Sequence, residues 1–284
     1  MALTINTNMT SLSAIQGMNT NSQALSKTFQ RLISGSRINN AGDDPAGFSI
    51  STRMTAQIQG SNIAVQNAQD AVSATQVADS AMKETMSALQ QMHDLVVSAG
   101  GAGVSASDRT NIANEVNGLI QEIQRIATST TFNNKQLLTG SYLQKIQVGA
   151  NQGQFMQVQI SAVSAGAIGM SYAAAASLKP FDSTITTALS VNLSQDLQAI
   201  TNAMNKVSNI RANLGSVQNR LNDTITGLNS LVSATTDARS RITDTDYASE
   251  AANLAQEQIK QQVGASILAQ ANQSSVSILT LLKG

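Results

Sequence analysis

The sequence predicts a mainly α-helical protein of long, coiled-coil-like helices, with one small β-hairpin region and with both chain termini paired. Three observations lead to this fold class. Apolar residues recur at alternating steps of three and four over long stretches, which is heptad spacing. Aromatic residues make up only 3% and charged residues only 12% of the 284 residues, which suits thin helical seams better than an aromatic core. Both prolines also lie outside the interiors of the predicted helices.

The last predicted helix, from about Thr243 to Gly284, is longer than a small domain requires. At ~1.5 Å per residue it would extend about 60 Å. Its narrow apolar seam consists of Ala252, Ala255, Ile259, Val263, Ile267, Ala271, Ile278 and Leu281. Burying about eight such residues contributes on the order of 10–20 kcal/mol, which is less than the cost of ordering roughly 40 residues. We therefore expect this helix to require partners.

A second helix with a thin seam occupies the opposite end of the chain, from Ser11 to Leu32. Its seam consists of Ile15, Met18, Ser22, Leu25, Phe29 and Leu32. The pattern fits either an ordinary amphipathic helix or two chain ends that pair with each other and with neighbouring chains. We favour the second interpretation, because one partner of about 20 residues covers only part of the C-terminal seam. The remainder would be buried by copies of the same chain, and in the free monomer we expect both ends to be largely unfolded.

Two acidic pairs mark the beginnings of helices. After a Gly- and Asn-rich loop, Asp43 and Asp44 precede Pro45, with Asp44 as the expected N-cap and Pro45 at the first helical position. Capping explains these carboxylates without a metal or acid–base role. Asp244 and Asp246 are expected to cap the last helix. They resemble the opening of a calcium loop, but the loop's glycine and its final glutamate are both missing.

The middle of the chain alternates between helical and strand-like patterns. A heptad pattern runs from Met54 to Val96, and a shorter helix starts near Ser105 or Ser107 and folds back on it. Apolar residues alternate with polar ones on both sides of Gly149–Gly153, which predicts a β-hairpin. Residues 161–189 are predicted to be an irregular surface segment, and another long seam runs from a cap near Ser194 to Val232.

The sequence therefore predicts five segments. We expect residues 1–42 and 243–284 to form the terminal pair, residues 43–160 and 190–242 to form the central helices and hairpin, and residues 161–189 to form a short variable segment.

Composition excludes several kinds of function. Seventeen basic and 17 acidic side chains balance, so no basic surface for nucleic acid is expected, and self-association is not opposed by net charge. The single histidine, His93, rules out a two-histidine zinc site and is expected on the seam or partly exposed. No catalytic residues and no cofactor are predicted, so we do not expect an enzyme. No apolar run is long enough to span a membrane, and no cleavable signal peptide is evident.

Several motifs in a fixed order closely resemble the signatures of bacterial flagellin. They cover roughly residues 1–160 and 190–284, and they are the stretches 32–47, 131–138, 214–221, 240–246 and 266–272. The resemblance implies a secreted subunit that polymerises into the flagellar filament, with the terminal segments in an inner core and the central helices in an outer core. It also implies a flagellum-specific type III export route, an export chaperone at the C-terminal helix, and contacts with the hook-junction and filament-cap proteins. The short middle segment departs from larger family members and predicts a thin filament without bulky outer domains.

The stretch from Leu89 to Leu95 resembles the part of flagellin that an animal innate immune receptor recognises. Leu95 and Glu115 match the contact pattern, whereas Gln91 stands where recognised members carry arginine. Loss of the planar guanidinium predicts weakened recognition.

Two alternatives to a filament subunit stay open on sequence grounds. One is a hook–filament junction protein of the same superfamily, and the other is a secreted helical translocator or adhesin. Abundance in sheared extracellular material would separate the first alternative from a filament subunit. The second predicts function without polymerisation and leaves the signatures at 43–45 and 241–246 unexplained.

Overall fold

The computed structural model describes residues 7–170 and 189–283, and it confirms a mainly helical chain. The helices are α1 (Met9–Ser34), α2 (Pro45–Ala99), α3 (Ala106–Ser129), α4 (Ala165–Ile168), α5 (Leu189–Thr243) and α6 (Tyr247–Lys283). The strands are β1 (Thr131–Phe132), β2 (Lys135–Gln136), β3 (Leu143–Gln147) and β4 (Phe155–Gln159). The chain divides into two compact units. The terminal unit comprises Met1–Ala56 and Ser233–Gly284, and the central unit comprises Gln57–Val232.

In the terminal unit, α1 and α6 pack against each other along their length and run antiparallel. The amide of Asn8 donates to the Ala271 carbonyl at 2.9 Å, and the amide of Asn21 donates to the Glu257 carbonyl at 2.9 Å. Partners near the start of α1 are thus near the end of α6, as an antiparallel pair requires. The predicted pairing of the chain ends is confirmed.

The core of the central unit is built from α2, α3 and α5, together with the β region and α4. The predicted heptad seam of α2 is buried at Val65, Ala68, Thr75, Met82, Leu89 and Val96. Flanking alanines at 64, 71, 74, 78, 81 and 88 are buried as well. The buried face of α2 is therefore wider than the predicted seam. The flanking alanines add to this face, and their small side chains allow neighbouring elements to approach closely.

The β region contains two small hairpins where the sequence indicated one. The predicted hairpin is present as β3–β4, with Ile146 opposite Met156 and with Val158 fully buried. The second hairpin pairs Thr131 with Gln136. Its turn residues Asn133 and Asn134 have φ values of 48° and 61°. Asparagine tolerates this left-handed conformation, which two-residue hairpin turns require. A two-residue strand is too short to show alternation, and the sequence pattern therefore missed it.

The first part of the segment predicted to be irregular and superficial differs from that expectation. Val163, Ala165, Ile168 and Met170 are buried, and residues 165–168 form the short helix α4. The sequence around these residues is rich in alanine and glycine and has no regular apolar period, so their contacts with the core could not be predicted from it. Residues 171–188 of this segment lie outside the described residues. The helix α5 also begins earlier than the predicted cap near Ser194, at Leu189.

Candidate functional site

The connection between α1 and α6 is a short backbone contact that we call the clasp, formed by Gly35–Arg37 and Thr243–Thr245. Ser36 and Asp244 form an antiparallel bridge. The Arg37 amide donates to the Thr243 carbonyl at 2.6 Å, and the Thr245 amide donates to the Gly35 carbonyl at 3.0 Å. Gly35 ends α1 with φ of 67°, a conformation that favours glycine.

Side chains reinforce the clasp from both strands. The Arg37 guanidinium donates to the Ile242 carbonyl at 2.9 Å, and the Ser36 hydroxyl donates to the Thr243 carbonyl at 3.0 Å. The Tyr247 hydroxyl donates to the Leu32 carbonyl at 3.1 Å. The first two contacts join the loop after α1 to the end of α5, and the third joins the last turn of α1 to the first turn of α6.

The four predicted acidic residues lie at helix starts and in the loops before them. Asp44 accepts a hydrogen bond from the Gly47 amide at 2.9 Å, directly before Pro45 begins α2. Asp246 accepts from the Ala248 amide at 3.0 Å at the start of α6. Asp244 accepts a hydrogen bond from the Ser240 hydroxyl. These are the contacts that exposed helix-start amides and turn hydroxyls require.

Asp43 has a different set of partners from its neighbour Asp44. Its carboxylate lies 3.0 Å from the Lys27 ammonium and accepts from the Asn40 amide at 3.1 Å. The hydrogen bond from Lys27, followed by that from Asn40, lowers the pKa of the Asp43 carboxyl. Asp43 thus ties the loop before α2 to α1.

The inner face of the α1–α6 pair is narrow, and small or polar residues dominate it. Its members, all buried or half-buried, are Ser11, Ala14, Met18, Asn21, Leu25, Thr28 and Leu32 on α1, and Glu250, Leu254, Glu257, Gly264, Leu268 and Ala271 on α6. Both sets follow heptad spacing. Arg31 lies 3.5 Å from the Glu250 carboxylate across this face.

The predicted seam residues fall into two sets. Met18, Leu25, Leu32 and Ala271 belong to the inner face. The exposed set consists of Ile15, Phe29, Ile259, Val263 and Ile267. Two heptad phases overlap on α1 and share Met18, Leu25 and Leu32. The prediction followed the heptad positions with the larger apolar residues. In the structure the positions with smaller residues face the partner helix, because small side chains let the two helices approach more closely. The side chains of Ile278 and Leu281 lie outside the described part.

The exposed set belongs to two apolar stripes on the outside of the pair. The α1 stripe consists of Leu12, Ile15, Phe29 and Ile33, and the α6 stripe consists of Ile259, Val263 and Ile267. Each stripe lies about a third of a turn from the inner face of its own helix. Ile259 is 61% exposed and Ile33 is 83% exposed. Aligned apolar side chains left in water indicate an interaction surface.

The residues that resemble an immune-receptor site lie in the central unit. Gln91 and Glu115 are exposed on α2 and α3, and Leu95 is half-buried against the core. His93 is half-buried, with its Nδ1 atom 3.6 Å from the Asp94 carboxylate.

The described residues contain no group of three metal-ligating side chains. No helix in the described ranges is both long and apolar enough to cross a membrane.

Sequence reasoning missed the residues that hold the terminal pair together, above all Asn21, Arg37, Thr245 and Tyr247. Most of them act through backbone carbonyls or amides, and such contacts leave no periodic signal in the sequence. The polar heptad position at Asn21 was the one available sign, because polar residues in a seam often specify its alignment.

The fold of this chain is similar to that of a solved flagellar protein. A putative flagellar hook-associated protein from Vibrio parahaemolyticus matches it with a TM-score of 0.57 at 10% identity, over 71% of this chain and 100% of that one. At such low identity the likeness concerns the fold alone.

Sequence comparisons define the family. The model of the bacterial flagellin N-terminal helical region matches residues 5–142, and that of the C-terminal helical region matches residues 197–282. A flagellin from Bacillus subtilis is 38% identical over 98% of this chain and 99% of its own length. The flagellar filament 33 kDa core protein of Treponema phagedenis is 34% identical over the same shares. The chain belongs to the bacterial flagellin family. It is a structural subunit of the flagellar filament, and the junction-protein and adhesin alternatives are not favoured.

Proposed function

We propose that the α1–α6 pair is the surface through which this filament subunit joins other copies of itself. The observation that carries the proposal is the pair of exposed apolar stripes, one on each helix. The inner face is too narrow and too polar to supply the burial that two long helices need. The stripes supply the missing apolar area once neighbouring copies cover them.

The position of the stripes favours an open polymer over a closed dimer. They lie on different helices and contain different residues, so the α6 stripe of one copy can meet the α1 stripe of another. Such a heterologous contact leaves one unused stripe at each end of a growing assembly. Repetition of the contact then produces a helical filament unless the rotation happens to close a ring.

The test places a charge on the α6 stripe. Val263→Asp and Ile267→Asp should each raise the critical concentration for salt-induced assembly by at least about 100-fold, equivalent to ~3 kcal/mol. Gln262→Asp, at an exposed polar position beside the stripe, is the matched control and should assemble like the parent. Sedimentation and electron microscopy measure assembly, and thermal unfolding of the central unit checks the fold. Normal filaments from both stripe variants would overturn the proposal.

Before assembly, the same α6 stripe is the natural site for a dedicated export chaperone. An exposed apolar stripe favours premature association unless a partner covers it. We further infer that the subunit leaves the cell by the flagellum-specific type III route, and that filament-cap and hook-junction proteins contact it outside. Chaperone binding should protect α6 from limited proteolysis in the full-length chain, with α3 as the internal control. Equal cleavage of α6 with and without the chaperone would contradict the chaperone site.

A second proposal concerns the exposed Gln91. We infer that this flagellin activates the innate immune receptor only weakly, because an amide lacks the planar multi-donor contact of an arginine. Gln91→Arg should increase the potency of the purified monomer in a reporter-cell assay by about tenfold, the effect of ~1.4 kcal/mol of added contact energy. Full potency of the unmodified monomer would refute this inference.

A further inference from the structure

We propose that the clasp sets the register in which α1 and α6 pair, and that Thr245 is its positioning residue through its backbone amide. This inference extends the proposed function, because the register decides which parts of the two apolar stripes stand at the same level. Its test reads contacts within one chain, whereas the test of the proposed function reads filament assembly, so the two proposals can fail separately.

The inner face by itself specifies register weakly. Its residues repeat every seven positions, so a slip of seven residues exchanges similar positions on each helix. Glu250 and Glu257 are seven residues apart, and a slipped Arg31 would find Glu257 in place of Glu250. Asn21 donates to a backbone carbonyl, a group that every turn of α6 offers.

The clasp, by contrast, cannot slip without losing its bonds. Its two backbone hydrogen bonds join Arg37 to Thr243 and Thr245 to Gly35, so they tie the residues just after α1 to the segment that runs from the last residue of α5 towards the start of α6. The left-handed Gly35 has no counterpart seven residues earlier, where the chain is helical. A Cβ at Gly35 would also come within 3.1 Å of the Tyr247 hydroxyl, so the left-handed backbone and this close approach both favour glycine.

One contact far from the clasp reports the resulting register. Gly264 leaves a notch on α6 that Met18 fills, and a Cβ at residue 264 would lie 3.0 Å from the Met18 Cγ. The Cβ atoms of residues 18 and 264 are therefore close enough for a disulfide once both are cysteine. Glu257 and Ala271, one heptad away on either side, lie about 10 Å further along the helix and are out of reach.

The experiment exploits a chain without native cysteine. Met18→Cys is combined with Gly264→Cys to report the native register, and with Glu257→Cys or Ala271→Cys to report slipped registers. Each full-length pair is oxidised under assembly conditions, and the intrachain product is separated from interchain products by gel mobility. In the otherwise unaltered chain we expect the 18–264 disulfide and only background yields for the other two pairs.

Thr245→Pro removes the amide that donates to Gly35, while Thr245→Ala keeps it. The two substitutions are well matched, because the Thr245 hydroxyl is buried without a hydrogen-bond partner and its loss breaks no bond. Asp244 lies in a β-bridge after the end of α5, and residues before proline prefer the extended conformations that such bridges use. Proline at position 245 also precedes α6 and so does not interrupt it.

In the Thr245→Pro background, the yield of the 18–264 disulfide should fall at least about fivefold relative to Thr245→Ala. Proline loses the hydrogen bond, worth a net ~1 kcal/mol, and its Cδ atom takes the place of the amide hydrogen that faces the Gly35 carbonyl. Slipped pairs should gain yield at its expense, and Thr245→Ala should match the parent. Equal 18–264 yields in the proline and alanine backgrounds would overturn the proposal. So would a comparable loss in the alanine variant, because the side chain and not the amide would then matter.

Discussion

Two aspartates in the central unit have pKa values that their surroundings shift in opposite directions. Burial raises the pKa of Asp79, but the hydrogen bonds from Arg211 and Lys83 outweigh burial and leave the pKa below its usual value. Burial raises the pKa of Asp196 to about 6, and one of its carboxylate oxygens has no hydrogen-bond partner. Asp79 therefore stabilises the fold when ionised, whereas ionised Asp196 opposes it.

Asp196→Asn should stabilise the protein near neutral pH. The pKa of Asp196 is higher in the folded state than in the unfolded state, so its destabilising effect grows as pH rises from about 4 to 6 and then stays constant. The substitution should add about 1 kcal/mol to the free energy of unfolding at pH 7, because partial solvation reduces the effect of the shift. It should add nothing below about pH 3.5. Urea unfolding at both pH values measures this, and an equal gain at both would contradict the explanation.

The Asp44 N-cap offers a second test at the residue scale. Asp44→Ala removes the acceptor of the Gly47 amide and should lower the free energy of unfolding by about 1 kcal/mol. Asp44→Ser keeps a capping oxygen and should restore most of that loss. Denaturant unfolding of the full chain compares the three proteins, and an equal loss in the serine variant would argue against capping.

Among the helices, α2 and α5 place a charged pair within their heptad seams. The Arg211 Nε atom donates to the Asp79 carboxylate at 2.8 Å, and Lys83 lies 3.3 Å from the same carboxylate. Both members of the Arg211–Asp79 pair occupy positions that heptad spacing assigns to the apolar seam. A partly buried pair of this kind specifies which turns of two helices face each other more than it adds net stability.

Breaking this pair should therefore cost more than replacing it. Arg211→Leu should lower the free energy of unfolding of the central unit by about 2 kcal/mol, because it leaves the Asp79 carboxylate with Lys83 alone. The double variant Asp79→Leu/Arg211→Leu should recover most of that loss. The folded-state pKa of Asp79 is lowered, so its contribution is present above about pH 4 and lost as pH falls further. A double-mutant cycle at pH 7 and pH 3 measures both effects, and additive losses at pH 7 would contradict a specific pair.

For the whole molecule, the important division is between a central unit with a large buried core and a terminal unit held by the clasp and a narrow helical seam. The buried apolar residues of the described chain lie overwhelmingly between Ala64 and Leu228. In the terminal unit the described core is reduced to a few residues, such as Ile38 and Ala271. We therefore expect the two units to respond very differently to loss of the C-terminal helix.

Deleting the last ~35 residues should abolish filament formation and leave the central unit folded. The deletion removes most of α6 and its apolar stripe, but it removes no residue of the central core. Thermal unfolding should show the transition of the central unit within a few degrees of that in the full chain. Electron microscopy showing normal filaments from the truncated protein would overturn this division of roles.

The sequence alone determined the helical class, the pairing of the chain ends and the approximate positions of the long helices, because heptad spacing persists over many turns. It also indicated the β3–β4 hairpin through alternation around glycine. Short elements such as β1, β2 and α4 could not be predicted from the sequence, because a few residues carry no measurable period.

Only the tertiary structure decided which heptad phase of α1 and α6 faces inward. The sequence favours the more apolar phase, but close helix contact favours small residues such as Gly264 and Ala14, and so Ile15, Val263 and Ile267 remain outside. The clasp was equally invisible in the sequence, because backbone amides and carbonyls of Gly35, Arg37, Thr243 and Thr245 form it. The sequence thus showed which residues of the terminal helices are apolar, and only the fold showed that several of them point away from the partner helix of the same chain.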